Sequence, residues 1–282
     1  MRQLINRIYR YIKIDLDYLF LPYPLQTKIV TICRTNIAVI KNIITKKDQG
    51  NITIHNQVIT YETVFATKTF LAACYDFYVT TQKLTIFSKN PVILDIGANI
   101  GQFAFAVKSF YPDASLYSVE PDVDIFAILK KNFSHSKNMK LFNVAIASNN
   151  NSRTFYKSKK FSEWSTLETP KDHENYITTK VDTTTGDTLF KELLNIDLLK
   201  IDVEGAEREA IVGMSKTLSK AKYVLIEVSL QRDPIDKNTS LLLKHLLQSG
   251  FSLFRIGRIF TYASGQEQGA ADLLFKNKLL KK

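Results

Sequence analysis

The chain has 282 residues, 45% hydrophobic and 23% charged, which is enough for one large domain or a domain with an extension. Its two cysteines, Cys33 and Cys74, form neither a CxxC pair nor a zinc spacing, which argues against a disulfide scaffold and fits a reduced, cytoplasmic protein. No run of about 18 apolar residues occurs, so no spanning helix is expected, and the charged N-terminus does not read as a secretory leader.

The net charge of +11 is unevenly placed. Residues 1–50 carry nine Lys/Arg against three Asp/Glu, and 276–282 carry four Lys, whereas 51–275 hold 25 basic and 24 acidic residues. A nucleic-acid enzyme concentrates positive charge around its cleft, so basic ends on a neutral centre argue against nucleic acid. They fit a membrane surface, an anionic partner or solvated tails.

In chain order, Leu4, Ile5, Ile8, Tyr9 and Ile12 recur at i, i+3, i+4, with Arg2, Arg7, Arg10 and Lys13 between them. This predicts an amphipathic helix, interrupted at Asp15 and Asp17 and ended by Pro22 and Pro24. Tyr18, Phe20 and Tyr23 follow it, and the stretch reads as a helix lying on a membrane surface, packing on the rest of the chain or meeting a second copy. A second helix is predicted over 25–47, a hairpin over 51–65 with Asn56 near its turn, and a helix over 67–88. From Pro91 strands and helices alternate. Strands are predicted at 92–96, 115–120, 139–147, 196–204, 222–229, 251–256 and 271–275, with helices at 100–110, 122–133, 205–219 and 236–248. Residues 148–158 read as a turn and a short extra strand, and 159–180 as a long polar loop of the kind that forms lids. The rhythm predicts an α/β fold, a doubly wound, mostly parallel sheet. Residues 1–60 are read as a basic amphipathic extension, 61–282 as the catalytic domain.

Three motifs carry chemistry. Asp95-Ile96-Gly97-Ala98-Asn99-Ile100-Gly101 follows a strand and precedes a helix, where open α/β sheets bind ligands. Asn99 stands where a nicotinamide site wants its middle glycine. Asp95 would repel a pyrophosphate but suits a cationic ligand, and S-adenosylmethionine carries a sulfonium and an ammonium. Glu120, in Val119-Glu120-Pro121, ends the next strand, where an acid accepts ribose hydroxyls. Lys200-Ile201-Asp202-Val203-Glu204-Gly205-Ala206-Glu207 ends the strand beside the first. Period 2 would send Asp202 and Glu204 off one face, and two acids in a buried strand are costly unless they meet a cation or a substrate hydroxyl. The bland alternatives are a structural turn at 95–101 and dipole-favoured acids at a helix start, which accounts for Glu207 but not Asp202.

DIGANIG, VEP, NVAI, KIDVEGAE, LIEV and a closing DLLF together resemble the FkbM family of methyltransferases over roughly 90–275. The resemblance implies a class I methyltransferase, Rossmann-like sheet of seven strands with an antiparallel final strand. It implies methyl transfer to oxygen, most often on a hydroxyl of a sugar or polyketide. Asp95, Gly97, Asn99, Gly101 and Glu120 match the cofactor-binding positions, and Asn143 with Val144 falls where an adenine contact is expected.

An alcohol is a poor nucleophile at neutral pH, so a base or a metal must help remove its proton. Asp202, Glu204 and Glu227 are the candidates, and three neighbouring acids also suit a divalent cation. His173 in the predicted lid is the remaining titratable candidate. A nucleic-acid methyltransferase is the rival enzyme, although neither a Pro-Pro-aromatic motif nor a Pro-Cys pair occurs. An inactive binding module of the same fold is the non-enzyme rival.

Overall fold

The computed structural model describes residues 2–45, 47–81, 88–170, 172–229, 237–261 and 269–280. Helix α1 (Arg2–Leu19) runs through Asp15 and Asp17 instead of breaking there. The reason is a partner far away in sequence: Lys68 Nζ lies 2.5 Å from Asp15 Oδ1, so the carboxylate need not reach water. Pro22 and Pro24 separate α1 from α2 (Leu25–Thr45). Strands β1 (Gly50–Ile54) and β2 (Gln57–Tyr61) form the hairpin, with His55 and Asn56 both at positive φ in its two-residue turn. Helix α3 (Val64–Thr81) starts three residues before its predicted limit, and 82–87, the rest of that prediction, lie outside the described residues.

Then come β3 (Val92–Ile96), α4 (Gln102–Phe110), β4 (Ser115–Val119), α5 (Val123–Asn132) and β5 (Met139–Phe142). The predicted strand 139–147 is two strands. β5 stays in the main sheet, while β6 (Ala145–Ile146) joins a separate three-stranded sheet with β7 (Asn151–Ser158) and β8 (Tyr176–Thr184), in the order β6-β8-β7. β8 takes the last five residues of the predicted loop. Its side chains are mostly exposed, with Val181 and Thr183 buried, so it lacks the apolar run of a core strand. The remaining loop, 159–175, holds two single 3-10 turns, Ser162–Trp164 and His173–Asn175.

Helix α6 (Gly186–Leu189) leads to β9 (Ile196–Ile201). The helix predicted over 205–219 is broken into α7 (Glu207–Val212) and α8 (Ser215–Ser219). The break is at Gly213, where a Cβ would sit 1.9 Å from the Ala147 carbonyl oxygen. β10 (Ala221–Ser229), α9 (Lys237–Gln248), β11 (Phe251–Thr261) and β12 (Gly269–Asn277) complete the chain.

The seven-stranded sheet has the order β11-β12-β10-β9-β3-β4-β5, and β12 runs antiparallel to both its neighbours. Side-chain alternation splits its strands between two cores. Ile93, Leu198 and Leu225 face a cluster built with α3, α4 and α5; Leu94, Leu199 and Val224 face one built with α7, α8 and α9. The first cluster also takes Ile14, Tyr18 and Leu21 from the N-terminus and Ile52, Ile54 and Ile59 from the hairpin, so the core runs across residue 60. Tyr18 is fully buried and Tyr23 half-buried, so two of the three aromatics expected at an interface pack inward, while Phe20 is 79% exposed. The side chains of Arg2, Leu4, Ile5 and Arg7 lie outside the described residues. Among described residues, no helix is long and apolar enough to cross a membrane.

Candidate functional site

Strand alternation that buries Ile93 and Leu198 toward α3 sends Asp95 and Lys200 to the same side, one step nearer the carboxyl ends of the strands. There the face changes from apolar to charged. Asp95 is fully buried, and Lys200 Nζ stands 3.5 Å from Asp95 Oδ1 and 3.2 Å from Asp202 Oδ2. Among described residues neither Asp95 oxygen accepts a well-formed hydrogen bond. Burial pushes the Asp95 carboxyl up to about 6, against the pull of Lys200. For Lys200, burial works to lower the pKa, but Asp202 and Asp95 outweigh it and raise it.

The turn after β3 is held from two sides. The amides of Gly97 and Ala98 donate to the Val119 carbonyl at 3.0 and 2.9 Å, and Asp202 N donates to the Ile96 carbonyl at 3.0 Å. Gly97 has φ +83, and a Cβ there would sit 1.8 Å from the Asp202 carbonyl oxygen, so only glycine lets the two turns touch. Gly101, at φ +101, abuts the Phe133 ring and starts α4.

Glu120 organises this loop. Its Oε2 accepts the Asn99 amide and its Oε1 the Asp122 amide, both at 2.9 Å. Burial raises its pKa to about 7 despite these two bonds. Asn99, at φ 48, also donates through Nδ2 to Ser162 Oγ at 2.9 Å, fastening the 159–175 loop over the turn. A cleft beside it is lined by Glu62, Asp122, Lys157, Phe161, Ser162 and Ser165. Asn143 spends its side-chain amide on the carbonyls of Glu120 and Pro121, at 2.9 and 3.0 Å, and so braces the end of β4. Val144 packs into the core cluster on the α7–α9 side.

β9 ends at Ile201, so the period-2 argument for Asp202 and Glu204 does not hold: both lie in the turn that follows. Glu204 sits at φ 53, a left-handed conformation that costs a residue with a Cβ about 1–2 kcal/mol. That turn nevertheless achieves what the strand was expected to do. One carboxylate oxygen from each of Asp202, Glu204 and Glu227 lies within 4.8 Å of the others. Burial, then the neighbouring acids, drives the pKa of Glu204 and of Glu227 well above the carboxylate range. Glu207 reaches back to accept the amides of Val203 and Gly205, at 3.2 and 3.0 Å, and stabilises the turn as a helix-start acid.

Three more acids belong to this surrounding. Asp272 pairs with Glu227 across β12 and β10, and burial pushes it up to about 7. Glu163 hangs from the loop; its Oε1 is buried without a hydrogen-bond partner among described residues, and burial raises its pKa. Glu62 is raised the same way beside Ser162. Lys200 was readable as a lone charge inside an apolar strand, but Glu163 and Asp272 reach the site through folding that no local pattern announces. His173 is exposed, its ring 6.1 Å from that of Tyr156, and it is not among the converging acids' partners in the described residues.

A seven-stranded sheet in this order, with one antiparallel strand, a glycine turn after its first strand in sequence and an acid ending its second, is the architecture of class I methyltransferases. The Methyltransferase FkbM domain family matches residues 95–253, more than half the chain, and the protein belongs to this family of S-adenosylmethionine-dependent methyltransferases. It is 34% identical over 157 residues to the 2-O-methyltransferase NoeI of Sinorhizobium fredii, covering 50% of this chain and 65% of that protein. It is 27% identical over 155 residues to the hexuronic acid methyltransferase AglP of Haloferax volcanii, covering 52% and 60%. The matched segment thus spans less than two thirds of these relatives. The crystal structure of M. jannaschii TYW2 with AdoMet is similar at 11% identity and a TM-score of 0.45, over 82% of this chain and 87% of that one.

Proposed function

We propose that this chain transfers a methyl group from S-adenosylmethionine to a hydroxyl oxygen of a sugar. The observation that carries the reading is the convergence of Asp202, Glu204 and Glu227 beside the buried, unsatisfied carboxylate of Asp95. One lysine is shared between Asp95 and Asp202, so the buried acids outnumber the positive charge beside them, and a cationic ligand offsets the excess. Asp95 fits the cationic end of the cofactor, and Glu120, braced by two backbone amides, fits its ribose hydroxyls. Gly97, Asn99 and Gly101 shape the seat between them. The cofactor supplies a methyl group on a sulfonium; the chain supplies alignment and a proton acceptor.

Glu204 and Glu227 hold their protons tightly in the free protein because burial and like charge oppose ionisation. A carboxyl with raised proton affinity is a stronger base once ionised, and positive charge arriving beside it favours that ionisation. Glu204 is the proposed base, Glu227 holds it in place, and Asp202 holds Lys200. A sugar acceptor is supported by the two relatives, one a 2-O-methyltransferase and one a hexuronic acid methyltransferase. A second reading uses the same oxygens, within 4.8 Å, to hold a divalent cation that activates the hydroxyl. Lys200 beside Asp202 already supplies a positive charge there, which favours the metal-free reading.

The test is calorimetric titration with S-adenosylhomocysteine, followed by mass spectrometry of a panel of oligosaccharides incubated with protein and cofactor. Tight binding and a methylated sugar are expected. Binding without transfer to any hydroxyl would leave a binding module; activity abolished by EDTA and restored by magnesium would select the metal reading.

A further inference from the structure

Helix α2 packs Ile32 and Ala38, half-buried, against the core, yet its fully buried side chains are polar. The side chains it buries are Thr31, Thr35 and Asn42, while Ile37, Ile40 and Ile44 are 63%, 57% and 75% exposed. The burial of Thr35 is explained, because its Oγ1 receives a bond from the buried Lys68 at 3.2 Å; Asn42 Nδ2 has no hydrogen-bond partner among described residues. Nothing local explains the isoleucines. Helix α1 buries Tyr11, Ile14 and Tyr18, yet leaves Ile8, Ile12 and Leu16 about half exposed on an adjacent arc.

The two arcs meet. Asn36 Nδ2 donates to Asp15 Oδ2 at 3.0 Å, and this contact marks the seam between the helices. At about 100° per residue, the exposed apolar arc of each helix starts just beyond its seam residue, on the side away from the core. For two helices joined by a short turn, both arcs therefore open in one direction and form a continuous apolar face. A contiguous exposed apolar face of this kind marks an interaction site. On the far edge of α1 stands Lys13, and on the far edge of α2 stand Arg34 and Lys41, all exposed. Tyr9 and Phe20, 70% and 79% exposed, suit the depth of lipid headgroups.

Charge decides the occupant. Residues 1–50 carry a net +6. A symmetric contact with a second copy would set this charge against itself, whereas an anionic bilayer surface complements it. We propose that the α1–α2 face docks on a membrane surface bearing anionic headgroups, its isoleucines in the acyl boundary and its lysines among the headgroups.

The test is flotation of the full chain with vesicles of phosphatidylcholine alone and of phosphatidylcholine with phosphatidylserine, at low and high salt; it needs no enzyme activity. The protein is expected to float with the anionic vesicles at low salt and to be released by salt. Lys13→Gln and Lys41→Gln should each weaken the partition roughly fivefold. Ile40→Ser with Ile44→Ser, folded by circular dichroism, should abolish it. A chain that ignores anionic vesicles overturns the proposal, as does equal binding to neutral ones. So does a dimer, seen in sedimentation equilibrium, that Ile40→Ser with Ile44→Ser dissociates, since the face would then belong to a second copy.

Discussion

At the carboxyl ends of β3, β9 and β10 the chain carries charged side chains into the protein; in the α1–α2 hairpin it carries isoleucines out of it. Both run against the partition that builds the rest of the molecule, where Ile93, Leu198 and Phe105 are buried to 2% exposure or less. The two regions differ in how far the protein compensates them itself. Lys200 stands between Asp95 and Asp202, and Glu120 and Glu207 each accept two backbone amides, so the buried acids are partly met from within. The isoleucine face has only its basic rim. The difference teaches that a breach of the partition points to a ligand most clearly where the chain's own groups leave it incomplete.

The largest effect is expected at a charge buried beneath the hairpin. Lys68 is fully buried and tied to Asp15, so Asp15→Ala should strand an ammonium and cost about 3 kcal/mol, read by urea unfolding. Midpoints that match the parent protein would show that the pair does not pin α1 to α3. At the strand ends the expected effect is on rate. Glu204→Gln should lower turnover roughly a hundredfold while S-adenosylhomocysteine affinity holds. Full activity in that variant moves the base to Glu227, Asp202 or Glu163.

Glu120→Gln should raise the cofactor dissociation constant about tenfold or more, measured by calorimetry, because a charge-assisted acceptor is lost. Gln is the milder probe than Ala, since it keeps an acceptor for one of the amides of Asn99 and Asp122 where Ala strands both; circular dichroism checks that the turn survives. Acidity sharpens the same point. The Glu120 carboxyl titrates near 7 and that of Asp95 near 6, both raised by burial. A raised acid favours the fold below its ordinary range and loses that contribution as pH climbs through the folded value. The free protein should therefore lose stability from about pH 4 to 7 on their account. The rise in melting temperature on adding S-adenosylmethionine should grow from pH 6 to 8, as both carboxylates ionise; a constant rise would remove them from the cofactor seat. The smallest effect belongs to the hairpin surface. Ile37→Ser should change stability by no more than about 0.5 kcal/mol, where Phe105→Ala in the core should cost about 3–5 kcal/mol. A large loss at Ile37 would mean that its face is covered within the molecule.

Sheet strands with continuous apolar runs, such as Val92–Ile96, were readable because burial on both faces leaves a compositional trace. So were the glycine turn and the acids at 95, 120, 202, 204 and 227, because charged residues at the ends of apolar runs are conspicuous. What escaped was whatever depended on a distant partner. Asp15 reads as a helix interruption until Lys68 arrives from α3. Residues 176–180 read as loop because β8 is a strand through its pairing with β7, with little apolar burial of its own. Asp202 and Glu204 were rightly paired for the wrong reason: the strand stops at Ile201, and a left-handed turn at Glu204 brings the oxygens together. The sequence alone determined the seven strands of the main sheet and their alternation with helices, the strand-end acids and the basic N-terminus, since these follow from local composition and period. The tertiary structure decided which acids share a site with Lys200, Glu163 and Asp272, and which face of α2 looks outward, since these depend on contacts between residues far apart in the chain.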